Sequence, residues 1–184
     1  GIGMVFITGE VTSNAVVTRE DIVRAVHNIT TDDTIEVIIN INSQSPEIAN
    51  GVDTGGAGDQ GIMFGYACRD NEEFLPQEYY LSRELNKFVF DKYPYDGKTQ
   101  VTMNGNSLRV VCSFQNAPTE MLEGLVGGFF SRYPQYHIEA LHCNPAGDWN
   151  IGGFTADAGL TGRKLAVDNY GPRVPIGGGA FSGK

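Results

Sequence analysis

Basic residues are scarce in this chain: 13 Lys and Arg stand against 22 Asp and Glu among 184 residues, a formal net charge of −9. Nucleic-acid binding draws most of its affinity from cations laid along phosphates, so this balance disfavours a nucleic-acid partner. Long apolar runs are also missing. The longest are short and punctuated, as at Val37-Ile38-Ile39, and none approaches the roughly 20 residues of a membrane-spanning helix. The opening Gly1-Ile2-Gly3-Met4 shows no basic segment and no small-residue cleavage site, so no signal peptide is expected. Only three cysteines occur, Cys68, Cys112 and Cys143. Their odd number and wide spacing argue against a disulfide framework and for reduced thiols in a cytoplasmic protein. His27 and His137 stand alone near element ends, as structural or surface histidines do. His142 and Cys143 are adjacent in an expected strand, so they point to opposite faces and do not jointly ligate a metal. No Ser/His/Asp or Cys/His arrangement emerges from spacing.

What is present suffices for a folded domain. Hydrophobic residues make up 41% and aromatics 10%, too many for a disordered chain, and the length allows one domain or two small ones. Met4 to Val11 reads as a strand. Thr18 with Asp21 resembles a capping box, and Ile22, Val26 and Ile29 follow at helical spacing. Ile35, Val37, Ile39 and Ile41 alternate as a strand with at least one buried face. Pro76 opens a second helix carrying Leu81, Leu85 and Phe88. Thr99–Met103 and Leu108–Phe114 flank Asn104-Gly105, a hairpin signal. Pro118-Thr119-Glu120 starts another helix with Leu122, Val126 and Phe129, and Ile138–Cys143 follows as a strand. The order predicts an α+β fold of repeated β-α-β-type units, with helices on one face of each mixed sheet.

Glycine is the excess residue, 24 of 184. It gathers in three clusters, 51–61, 147–164 and 171–184, and each holds charged residues: Asp53 and Asp59; Asp148, Asp157, Arg163 and Lys164; Arg173 and Lys184. A single Gly pair is ordinary turn chemistry. Loops that combine close backbone approach with cations suit phosphate groups. Gly178 to Lys184 matches G-x-x-x-x-G-K, yet Pro172 and Pro175 precede it where a P-loop needs a buried strand, so that match is a coincidence of spacing and a generic P-loop hydrolase is disfavoured.

At these loops the sequence resembles the S-adenosylmethionine synthetase (methionine adenosyltransferase) family. Gly9-Glu10-Val11-Thr12 is similar to G-E-[IV]-T, and Gln44-Ser45-Pro46-Glu47-Ile48 to Q-S-P-[DE]-I. Residues Gly56 to Ala67 resemble G-A-G-D-Q-G-x-M-F-G-Y-A, and Asp96 to Thr102 resemble D-[AG]-K-[ST]-Q-V-T. Asp157 to Lys164 match D-x-G-L-T-G-R-K, and Gly177 to Lys184 match G-G-G-A-F-S-G-K. These ordered matches run over nearly the whole chain.

The resemblance implies synthesis of S-adenosylmethionine from ATP and L-methionine, with release of phosphate and diphosphate. It assigns Lys98, Arg163, Lys164 and Lys184 to the leaving triphosphate. Asp96, Trp149, Asp157 and Ala180 would complete the ATP site, and Glu10, Gln44 and Asp157 would hold methionine. Asp59 is expected in the same cleft. Mg2+ and K+ are implied as cofactors, but the chain begins after the family's H-P-D-K segment and potassium-binding Glu, and stops before the Lys and Asp residues that follow the last motif. No metal ligand is therefore assigned. Two residues separate Asp53 from Gly56 where the family carries a longer gating loop, so the gate is expected to be short or absent. Asp148-Trp149 replaces the family's Arg-Phe: the indole could stack on adenine, while Asp148 would repel phosphate. The implied organisation is 1–52 as part of a central-type domain, 53–75 as a Gly-rich connection from a partly missing third domain, 76–147 as a second α+β domain, and 148–184 as an ATP-site segment. A homodimer or dimer of dimers with sites between subunits is expected, because large apolar sheet faces need covering. The alternative is a catalytically incomplete fragment or subunit that keeps nucleotide and oligomer contacts.

Overall fold

The computed structural model describes residues 3–52, 55, 56 and 64–176. Among these, 3–52, 55, 56 and Phe154–Leu160 form one compact unit, while 64–153 and 161–176 form a second.

In the first unit, strands β1 (Met4–Val11) and β2 (Glu36–Ser43) pair in parallel, from Met4↔Glu36 to Val11↔Ser43, across helix α1 (Arg19–Thr30). Helix α2 (Pro46–Val52) follows β2. The Thr18–Asp21 capping box forms as the sequence predicts: Thr18 Oγ1 accepts from Asp21 N at 3.1 Å, and Asp21 Oδ2 accepts from Thr18 N at 3.0 Å. Arg19 Nη2 donates to the Val37 carbonyl (3.1 Å) and His27 Nε2 to that of Ile35 (3.0 Å), which fastens α1 to β2. The apolar face expected from Ile22, Val26 and Ile29 is shifted. Ile22, Val23, Val26 and His27 are half-buried, whereas Ile29 is 82% exposed. A ribbon of two strands is too narrow to cover the whole apolar stripe. Its other face carries Met4, Phe6, Thr8 and Glu10 beside Glu36, Ile38, Asn40 and Asn42, and Phe6 is 58% exposed there.

The second unit holds the larger core. Helix α3 (Gln77–Phe90) leads into the hairpin β3 (Gly97–Asn104) and β4 (Ser107–Phe114), then α4 (Thr119–Phe130) and β5 (His137–Cys143). The sheet order is β3-β4-β5, antiparallel then parallel, with a register irregularity at Leu108/Arg109. The hairpin turns one residue later than the Asn104-Gly105 pair suggests. Asn104 pairs with Ser107, and Gly105-Asn106 is the loop, with Gly105 alone of the two at positive φ, the pattern of a type II′ turn. Leu81, Leu85 and Val89 of α3, with Leu122, Val126 and Phe129 of α4, pack on Val101, Leu108, Val110, Cys112 and Phe114. Both helices therefore cover one face, and each large apolar side chain so buried contributes about 1.5–3 kcal/mol. The opposite face is polar, with Lys98, Gln100 and Thr102 opposite Ser113, Val111 and Arg109. Two single-turn helices, α5 (Gly153–Ala156) and α6 (Leu165–Asp168), follow. Among the described residues no helix is long and apolar enough to cross a membrane.

Cys112 and Cys143 are register partners on adjacent strands, both free and buried. Burial pushes the Cys112 thiol up to about 12 and that of Cys143 up to about 11. Since the thiolate is the reactive form, both should be inert in the folded protein. At pH 8, Ellman's reagent should titrate only half-exposed Cys68 in the native state and all three thiols in guanidinium; rapid native labelling of Cys112 would show the core to be loose. Phe129→Ala should cost about 3–5 kcal/mol in urea unfolding, because its ring is fully buried between α4 and the sheet.

Candidate functional site

In the second unit, the candidate residues collect at the end of the polar sheet face where β3 begins. Lys98 is exposed and lies directly opposite Ser113, so the two side chains share that face. Trp149 Nε1 donates to Ser113 Oγ at 3.0 Å, which puts the half-buried indole on the same side. Asp96 precedes β3, and its Oδ2 accepts from Gly153 N at 3.1 Å. Gln115 ties the pieces together: its N–H donates to the Asp96 carbonyl (2.9 Å) and its Nε2 to that of Asn150 (3.0 Å). Gly152 is required by close packing. A Cβ there would lie 2.5 Å from Gln115 Oε1, 2.8 Å from the Trp149 ring and 2.9 Å from Asp96 Cβ. Asp96, Lys98 and Trp149 are thus brought into one neighbourhood.

Arg163 and Lys164 are exposed on the segment that runs on through α6. That segment is fastened to α3: Tyr79 Oη donates to the Val167 carbonyl at 2.6 Å, and Arg173 pairs with buried Glu78. Gly171, at φ +83°, passes so close to Tyr79 that a Cβ would sit 2.9 Å from its side chain. Lys98, Arg163 and Lys164 have no ion pair among the described residues, while Arg24, Arg83, Lys87, Arg109 and Arg173 do.

Asp148, the carboxylate expected to repel phosphate, has protein partners of its own. Asp148 Oδ1 accepts from Thr119 N (3.1 Å), Thr119 Oγ1 (2.6 Å) and Asn144 Nδ2 (3.0 Å), so it serves the start of α4. The Thr119 hydroxyl, Asn144 and the Thr119 amide hold its carboxyl below the usual carboxylate range. Asn144 is a residue that sequence reasoning missed. Its Asn-Pro dipeptide signals a turn, but burial and the hydrogen bonds it makes have no local signature.

In the first unit, Glu10 and Gln44 lie at the carboxyl ends of the two parallel strands. Glu10 is exposed beside its partner Asn42, and Gln44 Oε1 accepts from Thr12 Oγ1 at 2.8 Å. Asp157 belongs to this same unit, is exposed, and accepts from Ala158 N at 2.7 Å. Asp59, Ala180 and Lys184 lie outside the described residues. Two open hollows, of about 520 and 500 Å³, are lined by residues of α3 with Arg132 and by residues of α1 with Asp33; none of the candidates lines either.

Residues 54–120 match the S-adenosylmethionine synthetase central domain, and residues 151–184 match the C-terminal domain of the same enzyme. The chain belongs to the S-adenosylmethionine synthetase family. The S-adenosylmethionine synthase of Desulfosudis oleivorans is 37% identical over 225 residues, covering 99% of this chain and 57% of that protein. The Clostridium tetani synthase is 36% identical over 228 residues, with 99% and 58% covered. A solved structure described as an unusual S-adenosylmethionine synthetase from Campylobacter jejuni superposes with a TM-score of 0.78 at 30% identity, over 100% of this chain and 57% of that one. The chain thus spans less than three fifths of the length of these relatives. An alignment over 225 residues against a chain of 184 also means that the relative carries segments between shared motifs with no counterpart here.

Gly152→Ala should destabilise the second unit by about 1–3 kcal/mol in urea, because neither the indole nor Asp96 Cβ can yield without strain. Asp148 should make stability pH-dependent. Its lowered folded-state value means that its contribution is present above the unfolded carboxylate range, near 4, and is lost as pH falls through the folded value. Thermal melts from pH 7 to pH 2.5 should fall less steeply for Asp148→Asn than for the parent, and parallel curves would remove this carboxylate from the acid response.

Proposed function

We propose that this chain carries part of the active site of a methionine adenosyltransferase, which joins ATP and L-methionine into S-adenosylmethionine. The observation that carries the reading is the set of exposed cations, Lys98, Arg163 and Lys164, in the unit that also holds Asp96 and Trp149, none of them neutralised by an ion pair among the described residues. In this reaction a lone pair on the methionine sulfur forms a bond to C5′ of ATP. The C5′–O bond breaks, its electrons leave on the triphosphate, and the sulfur becomes a sulfonium. A thioether needs no deprotonation, so the attack calls for no general base. The demanding part is charge growing on the leaving triphosphate, which prepositioned cations stabilise. Lys98, Arg163, Lys164 and Lys184 suit that role, and Lys184 takes it on motif alone. Trp149 offers a ring for adenine and Asp96 lines the nucleotide, with Ala180 beside them on the strength of its motif. Glu10, Gln44 and Asp157 suit the methionine ammonium and carboxylate, Asp157 also the nucleoside, and Asp59 is assigned to the substrates on its motif alone. The tripolyphosphate is then hydrolysed to phosphate and diphosphate.

Mg2+ and K+ are the cofactors that the family implies. The described residues present no group of three His, Cys, Asp or Glu side chains able to hold a metal ion, so they do not fit a metal centre and no step here runs through one. A homodimer or dimer of dimers in the cytoplasm suits the open face of the β1–β2 ribbon, where Phe6 is 58% exposed. The four-part organisation 1–52, 53–75, 76–147 and 148–184 remains our reading of the family's discontinuous domains. A second reading, a catalytically incomplete fragment that keeps nucleotide contacts, draws on the coverage of only 57% of the relatives.

The test is to incubate the protein with ATP, L-methionine, Mg2+ and K+ and to measure S-adenosylmethionine by mass spectrometry. Product is expected, with Lys164→Ala lowering kcat by about 100-fold. ATP binding without product would favour the incomplete fragment, and unchanged kinetics in Lys164→Ala would remove that cation from the leaving-group role.

A further inference from the structure

We propose that Ser113 is a positioning residue for the purine-binding face of Trp149, held in turn by the buried carboxamide of Asn144. The proposal rests on the nucleotide reading above and adds to it the device that orients the ring. Asn144 is 4% exposed, in the left-handed region at φ 41°, and all of its hydrogen-bonding capacity is used. Its Oδ1 accepts from Ser113 Oγ (3.1 Å) and Phe114 N (3.2 Å), and its Nδ2 donates to the Ala117 carbonyl (2.8 Å) and to Asp148 Oδ1 (3.0 Å). A flipped amide would set its NH2 against the Phe114 N–H, so one orientation is allowed. That orientation fixes the direction of the Ser113 hydroxyl. Its proton goes to Asn144, which turns an oxygen lone pair toward the Trp149 N–H at 3.0 Å.

The indole is hydrogen-bonded at one edge and approached by the Gly152 backbone at another. Nε1 is held by Ser113, and Cζ3 lies where a Cβ on Gly152 would come within 2.8 Å. Its backbone carbonyl accepts from Asn116 N at 2.8 Å. A ring hydrogen-bonded at Nε1, packed close to Gly152 and tied at its backbone keeps its plane without a ligand, so stacking costs little ordering. Neither Ser113 nor Asn144 has to touch the nucleotide for this effect.

Trp149 is the sole tryptophan, so its fluorescence reports the device directly. Without nucleotide, Ser113→Ala should shift the emission maximum and raise acrylamide quenching, and Ser113→Thr, which keeps the hydroxyl, should restore both. ATP titrated by calorimetry should bind about fivefold more weakly to Ser113→Ala, the loss of one hydrogen bond, with KM for ATP rising and kcat little changed. Parent-like emission, quenching and ATP affinity in Ser113→Ala, alongside weak ATP binding in Trp149→Ala, would overturn the positioning role while leaving the nucleotide reading intact. Unchanged ATP affinity in Trp149→Ala would instead overturn the nucleotide reading, and the purine-positioning role with it, whatever the fluorescence of Ser113→Ala.

Discussion

The carboxamide of Asn144 joins four parts of the second unit that have no reason to meet on their own. It reaches the end of β4 through Phe114, the approach to α4 through Ala117, the start of α4 through Asp148, and the polar sheet face through Ser113. A buried amide tolerates this position only if every donor and acceptor is paired, since each unpaired polar atom costs free energy comparable to the hydrogen bond it lacks. The demand fixes the local geometry tightly. It explains why Asn144 holds a left-handed backbone, and why Asp148 is spent on a helix start.

Around that point, the unit is organised by one-sided burial. Helices α3 and α4 cover one face of β3-β4-β5, leaving Lys98, Gln100, Thr102 and Ser113 on the other. The same division puts Lys98 and the Trp149 indole on one side of the sheet, each beside Ser113. On that face Arg109 is paired with Glu139, while Lys98 has no ion pair among the described residues. The first unit follows the same plan on a smaller scale, with α1 fastened to one side of a two-stranded ribbon by Arg19 and His27. A ribbon that narrow cannot hide its apolar side chains, and Ile29 and Phe6 stay in water.

Much of the fold was legible in the chain. Alternation marked β2, the Asn104-Gly105 pair marked the β3–β4 hairpin, helical spacing marked α3 and α4, and the capping box at Thr18 marked the start of α1. The errors were of one kind. The face of α1 and the register of the hairpin depend on what lies opposite, which a local pattern does not contain. The family was legible for a different reason: its motifs are runs of Gly with charged residues, held in order by the chemistry of close backbone approach to a ligand. The central-domain match over 54–120 spans the runs at 56–67 and 96–102, and the C-terminal match over 151–184 spans those at 157–164 and 177–184.

Sequence alone therefore determined the order of the five strands and of helices α1, α3 and α4, the α+β class and the family, because periodicity and motif spacing are properties of neighbouring residues. Tertiary structure alone decided the roles of Asp148, Ser113 and Asn144. Their partners lie 29 to 36 residues away at Thr119, Trp149 and Ser113. Along the chain Asp148 is one more charge in a Gly-rich cluster; folded, its Oδ1 is hydrogen-bonded to Thr119 and Asn144. Long-range hydrogen bonds leave no periodic trace in a sequence, and they exist only once packing has excluded the water that would otherwise satisfy the same atoms.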